Sequence, residues 1–348
     1  MLHTSKEIMS QNKLLQCPKC SSKNIVKKGI RKNKFQTLQQ YQCKNCKYIF
    51  TQNKSKNTTY TINTILKAIS IYNLGYNLKQ TKEKLHLQAT IPTISSWLNK
   101  YKTICTFHRL RQQATKLYNP SNMIFSQKLQ HNQVYNFQLH KAKLELTSKE
   151  LLPNKFMVVK DYLNKIPTSK FPHHIFQPKQ EDLNELARSS QIKFKILNFV
   201  KLTKQNQANQ LAKLALSLTK NNKQRHESIQ NFMITNDSTT VACEVPLYLT
   251  NDDIKYFKSK GFILNLENYQ TPITGHIDIL QVRNGSIYIL DYKPEAEKQD
   301  PVEQLTIYAM ALASRTKLAL KDFKCAWFDE KNYFEFFPLH DVYEKQKA

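Results

Sequence analysis

Glycine is nearly missing from this chain, with 5 in 348 residues. No glycine-rich phosphate loop can be assembled from so few, so nothing here would drive nucleotide-fuelled processive motion. Acidic residues are also scarce, at 26 against 53 Lys and Arg, which leaves a net charge of +27. No apolar run approaches the ~20 residues of a membrane helix. No charged-then-apolar leader opens the chain. The expectation is a soluble, intracellular (cytoplasmic) protein with no membrane partner. No internal repeat is present, and the length allows two or three domains.

The positive charge is unevenly distributed. Residues 1–110 hold 20 Lys and Arg against 2 Asp and Glu, a net +18. Residues 236–348 hold 13 against 17, a net −4. A basic front and a near-neutral back suggest that the front holds a polyanion while any chemistry lies behind it.

Four of the seven cysteines form two pairs, Cys17-Pro-Lys-Cys20 and Cys43-Lys-Asn-Cys46. Two such C-x-x-C knuckles can give four thiolates to one tetrahedral Zn²⁺, with a β-hairpin filling the spacer. A set of reduced thiols or disulfides is the alternative, and an intracellular setting disfavours disulfides. Four cysteine ligands would leave no open position, so this zinc would be structural. A segment this small buries little core, so the metal would fold it. Lys27, Lys28, Arg31 and Lys32 are its candidate phosphate contacts.

Residues 61–102 carry a helical pattern. Ile62, Ile65, Leu66, Ile69 and Tyr72 share one face, and Gly75 ends that run. Asn77 opens a second helix, and IPTISSWLNKYK a third. The order fits a helix-turn-helix, whose last helix enters a major groove; a generic three-helix bundle is the alternative. Thr93, Ser95, Ser96, Asn99 and Lys100 are candidate DNA contacts, with Ile94, Trp97 and Leu98 packing inward. Joined to the cysteine motif, this segment resembles the front of insertion-sequence transposases over about residues 14–102.

The densest chemistry lies in GHIDILQVRNGSIYILDYK, residues 275–293. Asn284-Gly285 between two apolar runs signals a two-residue hairpin turn. With that turn, Arg283 pairs with Ser286 and Asp278 falls directly opposite Asp291. Opposed residues share a sheet face with Cβ atoms about 4.5–5.5 Å apart. Lys293 lies on the same face by the two-residue alternation. Two opposed carboxylates repel, and a hard cation such as Mg²⁺ or Mn²⁺ would offset this. The alternative is a solvated hairpin end. The apolar neighbours Leu280, Val282, Ile287 and Ile289 favour the rim of a core. Downstream, Asp300-Pro301-Val302-Glu303 predicts a capped helix running to about Arg315. Gln304 and Tyr308 share one face of that helix, although Tyr308 taken alone also suits a core position.

Asp278, then Asp291-Tyr292-Lys293, then Gln304-x-x-x-Tyr308, resembles the RecB-type branch of the PD-(D/E)XK nuclease superfamily. The likeness covers roughly residues 200–348. It implies a restriction-endonuclease-like core, a mixed sheet flanked by helices, within an α+β multidomain chain. It implies that Asp278 and Asp291 bind the metal, with the backbone carbonyl of Tyr292 as a further ligand and Lys293 as the catalytic lysine. Gln304 and Tyr308 match the family's helix motif. Glu244 matches a family acid that orients the site, and His226 a family histidine ligand; a solvated helix histidine is the alternative for His226. Only Cys243 and Cys325 lie in this region, so no iron–sulfur cluster is expected.

The expected organisation is a zinc ribbon over 14–56, a helix-turn-helix over 57–104, an unassigned connection over 105–200 and a nuclease domain over 201–348. In the connection, HNQVYNFQLHKAKLEL suggests a strand pair, prolines argue against long helices, and the FPHHIF histidines suit a surface turn. Residues 203–233 read as helical. The functional expectation is a Mg²⁺- or Mn²⁺-dependent DNA nuclease, more an endonuclease than an exonuclease, targeted by its front and associated with a mobile element. The alternatives are a DNA-binding regulator with an inactive nuclease fold and a transposition protein using the same site. RNA as substrate stays open.

Overall fold

The computed structural model describes residues 15–32, 37–51, 60–131, 133–150, 155–166, 188–219, 221, 224–264, 266 and 272–343. The histidines of FPHHIF lie outside them. At the front, β1 (Ile25–Lys32), β2 (Thr37–Cys43) and β3 (Ile49–Thr51) form a small antiparallel sheet in that order. The expected hairpin between the cysteine pairs is β1–β2. Tyr41 and Phe50 pair across β2 and β3 with ring centroids 6.0 Å apart.

Three helices follow, α1 (Ile62–Asn73), α2 (Leu78–Lys84) and α3 (Ile91–Tyr101). Each begins on a side-chain cap, from Thr61, Asn77 and Thr90 in turn. Gly75, at φ +111, makes the reversal between the first two. Ile65, Leu66, Ile69, Ile94 and Trp97 are buried, and Leu98 is half-buried.

The connection between the ends of the chain is structured. It holds α4 (His108–Leu117), β4 (Ile124–His131), β5 (Gln133–His140), α5 (Lys141–Glu150) and α6 (Met157–Lys165). The expected strand pair over HNQVYNFQLHKAKLEL is therefore corrected. Its first half is β5, whose hairpin partner is the upstream β4, and its second half is α5. The alternating K-A-K-L-E-L imitates a strand, but Lys143 with Thr147 and Leu144 with Ser148 are buried at the helical four-residue spacing.

Next come β6 (Leu202–Thr203), α7 (Gln207–Leu216), α8 (Arg225–Asn236), β7 (Thr240–Leu249), α9 (Asn251–Ser259), β8 (Ile273–Arg283), β9 (Ser286–Tyr292), α10 (Val302–Thr316), β10 (Phe323–Phe328), β11 (Tyr333–Phe336) and α11 (Pro338–Val342). A single mixed eight-stranded sheet runs β4-β5-β7-β8-β9-β10-β11-β6. Among the described strands only β9 and β10 pair in parallel, and α10 makes their crossover. Two of its strands, β4 and β5, come from the 105–200 stretch.

Each face of the sheet carries its own core. On one, Leu280, Val282, Ile287 and Ile289 pack with Leu305, Ala309 and Leu312 of α10. On the other, Ile279, Tyr288 and Leu290 pack with α7 and α8, and this same core takes in Ile65, Ile69, Ile94 and Trp97 of the front helices. Asn73 donates to Asn236 Oδ1 (2.9 Å), and Asn236 Nδ2 donates to Ser70 Oγ (2.9 Å), so the junction of α1 with α8 is keyed by polar pairs.

The capping box expected at Asp300 is absent. Helix α10 starts at Val302 behind Pro301 with no side-chain cap hydrogen bond. Glu303 instead pairs with Lys193 at 3.2 Å.

Candidate active site and cysteine cluster

Asn284 and Gly285 sit at φ +49 and +68, the double left-handed pair of a tight hairpin turn. The pairing runs from Arg283↔Ser286 to Ile279↔Leu290. One step further out, Asp278 lies opposite Asp291. Between β7 and β8, Cys243↔Ile279 and Val245↔Ile277 bracket Glu244 opposite Asp278. Glu244, Asp278 and Asp291 therefore form a row across three adjacent strands. Glu244 adopts φ +51, a left-handed backbone that costs a non-glycine residue about 1–3 kcal/mol and is typical of functional positions.

Burial, then the charges of Asp291 and Glu244, hold the Asp278 carboxyl well above its ordinary range. Burial pushes Glu244 up to about 7, against a hydrogen bond from Gln230 and with the Asp291 charge adding to the rise. Asp291 is 3 % exposed; Lys293 Nζ meets one of its oxygens at 2.7 Å, and its Oδ1 is buried with no hydrogen-bond partner among the described residues. Burial alone would lower Lys293, but Asp291 and Asp278 outweigh it and hold the ammonium charged. A buried acceptor with no donor among the described residues, beside two acids of raised proton affinity, suits residues that could hold a hard cation.

Helix α8 reaches this row with its first turns. Gln230 Nε2 donates to Glu244 at 2.6 Å. His226 Nε2 lies 2.7 Å from the carbonyl oxygen of Tyr292. Burial lowers the His226 pKa, despite Asp291 and the Tyr292 carbonyl. His226 Nε2 and the Tyr292 carbonyl oxygen are close enough that both could hold one cation.

The row opens on a cleft of about 720 Å³ whose lining includes Glu244, Asp278, His226, Gln304 and Tyr308. Gln304 Nε2 donates to the Tyr308 hydroxyl at 2.7 Å. Tyr308 belongs both to this lining and to the core beneath it. Its ring passes directly over Gly275. A Cβ added at Gly275 would fall 2.2 Å from Tyr308 Cε1 and 2.7 Å from Ser189 Oγ. Gly275→Ala should therefore displace Tyr308 and cost roughly 1–3 kcal/mol. Thermal melts should show the loss, and Tyr308→Ala in the same chain should recover part of it. Additive losses would mean the two positions do not meet.

Sequence spacing did not disclose Gln230, Arg188, Ser189, Lys128, Tyr135 or Asn136, all of which line the cleft. Gln230 had one signal, its four-residue spacing from His226. The others come from distant segments. His276, on the acids' face by alternation, stacks flat on Tyr135 (3.6 Å, 12°).

None of the candidate DNA contacts is among the lining residues of this cleft. Ser96, Asn99 and Lys100 are exposed on α3, and Ser95 is half-buried. Thr93 is engaged by the Thr90 cap. Lys27, Lys28 and Arg31 are exposed on β1; the side chain of Lys32 is outside the described residues.

The ligand atoms of Cys17, Cys20, Cys43 and Cys46 all lie within 4.8 Å of one another. Cys17 and Cys46 sulfurs are 3.5 Å apart, and Cys20 and Cys43 sulfurs 3.6 Å. Disulfides need about 2.05 Å, whereas thiolates around one tetrahedral Zn²⁺, at about 2.3 Å each, stand about 3.8 Å apart. The Cys46 backbone N–H, the largest influence on Cys43, helps bring that thiol down to about 6. The Lys19 N–H also points at the Cys17 sulfur (3.4 Å). The cluster is compatible with a zinc ribbon.

Residues 172–336 match the family model of the PD-(D/E)XK nuclease superfamily. No curated protein and no solved structure matches the chain. The superfamily match contains the acid row, Lys293, His226, Gln304 and Tyr308, and it suggests a nuclease that takes nucleic acid as substrate. It starts downstream of β4–β5, so that hairpin is an addition to the matched stretch. No described helix is long and apolar enough to cross a membrane.

Proposed function

We propose that this chain is a Mg²⁺- or Mn²⁺-dependent DNA endonuclease of the RecB-type branch. Its N-terminal zinc ribbon and helix-turn-helix would hold the DNA, and a mobile element would be its setting. The observation that carries the reading is the row of Glu244, Asp278 and Asp291, with Lys293 paired to Asp291 and with Glu244 and Asp278 lining the cleft. Asp278, Asp291, the Tyr292 carbonyl and His226 would hold the cation. When bound, the cation would acidify a water and neutralise charge on the scissile phosphate. Lys293, kept protonated by its acidic neighbours, would stabilise charge developing on the phosphate oxygens. Glu244, fixed by Gln230, would orient Asp278 across the strand pair. Gln304 and Tyr308 would steady the strand at the cleft edge.

A digestion panel on linear, circular, single-stranded and branched DNA with Mg²⁺ and Mn²⁺ tests this. Cleavage of closed circles is expected, and that result alone separates an endonuclease from an exonuclease. A protein that binds DNA yet never cuts with any divalent cation would be a regulator. DNA binding should also weaken steeply with salt, since each neutralised phosphate contributes about −0.9 to the log–log slope on duplex. A flat response would remove the phosphate contacts assigned to the front.

A further inference from the structure

Strand β5 meets β7 only at Gln138↔Cys243 and Leu139↔Ala242. The next residue of β7 is the left-handed Glu244, and beyond it β5 pairs with β4 alone. The outer half of the hairpin leaves the sheet there and becomes a wall of the cleft, through Lys128, Tyr135 and Asn136. The Tyr135 ring is half-buried and lies flat on the ring of His276, itself 7 % exposed. Its hydroxyl end comes within electrostatic range of Glu244, Arg188 and Asp278. Arg188 bridges to Thr274 and lines the same cleft, and no carboxylate pairs with it among the described residues. A rigid aromatic plate beside an arginine, both facing an acid row, matches the chemistry of one unpaired nucleotide: a base face and a phosphate. The cleft volume is that of a small-ligand pocket.

We propose that the cleft takes a single strand, with Tyr135 backed by His276 stacking an unpaired base and Arg188 holding a phosphate beside the cut. This rests on the nuclease reading and names its substrate class, unpaired nucleotides within or beside duplex.

The test uses the full chain and oligodeoxynucleotides carrying 2-aminopurine, in Ca²⁺ to read binding and in Mg²⁺ or Mn²⁺ to read cutting. Wild type should quench the probe in a single strand or bubble and cut the bubble faster than the paired duplex. Tyr135→Ala should abolish the quench and weaken single-strand binding roughly 5- to 150-fold. Duplex binding, carried by the front, should hold. Tyr135→Phe should restore both, whereas Tyr135→Leu should keep the wild-type melting temperature without restoring the quench, which a merely structural role of the ring would not allow. Arg188→Gln should flatten the salt slope for single strands by about 0.7. Equal cutting of paired and bubble DNA, or a quench that survives in Tyr135→Ala, overturns the inference and leaves the nuclease reading standing. A Tyr135-dependent quench without cleavage under any cation supports the inference and sinks the nuclease reading.

Discussion

Asp291→Asn should cut DNA at least ~10³-fold more slowly than wild type. The rate loss follows from the place of the Asp291 side chain, which has Lys293 on one oxygen and, among the described residues, no hydrogen-bond partner on the other. Losing its share of metal binding should remove about 4 kcal/mol of transition-state stabilisation, which is 10³-fold. Three acids side by side, two with raised proton affinity, also make the metal-free stability depend on pH. The sign in pH is fixed by the same shifts. Folded Glu244 titrates at about 7, above its unfolded value, so the folded state binds the extra proton. Metal-free wild type should therefore lose stability as pH rises from the ordinary carboxylate range to about 7, with the loss complete above it. Buried Asp341, also raised to about 7, adds in the same direction. Mg²⁺ should reverse the loss in wild type, by about 2.7 kcal/mol at a hundredfold excess over its Kd, and leave the variant unmoved. Scanning fluorimetry with and without Mg²⁺, paired with a cleavage assay, reads every part. An Asp291→Asn protein that cuts normally would remove Asp291 from the chemistry.

Cys43→Ser should unfold the ribbon and release its zinc. Structural zinc contributes on the order of 10 kcal/mol in domains of this size. Among the described residues little else sustains this one: Ile30, Tyr48 and Ile49 are exposed, and the buried apolar residues of the motif are the cysteines Cys17 and Cys43. Metal analysis should find one zinc per wild-type chain and none firmly held in the variant. Duplex binding should fall with it. Helices α1 and α3 should stay folded, because they share a core with the sheet. A variant that holds zinc and DNA as wild type does would show the ribbon to be no anchor.

The hairpin was legible because its information is local. Asn284-Gly285 sets the turn, the turn sets the register, and alternation carries Asp278, Asp291 and Lys293 to one face. The cysteine pairs and the front helices were legible for the same reason, with caps and breakers inside the segment. The other half of the cleft was not. Pairing of Gln138 with Cys243 spans more than a hundred residues, and nothing in β5 announces it. Glu244 bends left-handed without the glycine that normally signals such a bend. Arg188 reaches the cleft through one bridge to Thr274. The cap expected at Asp300 failed because Glu303 found Lys193 on a distant segment.

Helix α8 touches the acid row with one end and α1 with the other. Its first turns hold Glu244 and the Tyr292 carbonyl through Gln230 and His226, and its last residue, Asn236, is locked to Ser70 and Asn73 of α1. Ten residues of helix separate these ends, about 15 Å of stiff rod. On the proposed function, such a rod is a ruler. DNA gripped by α3 would present its backbone to the acids at a set distance, so cuts would fall at a constant offset from whatever is gripped, in place of the scatter that a tethered reader produces.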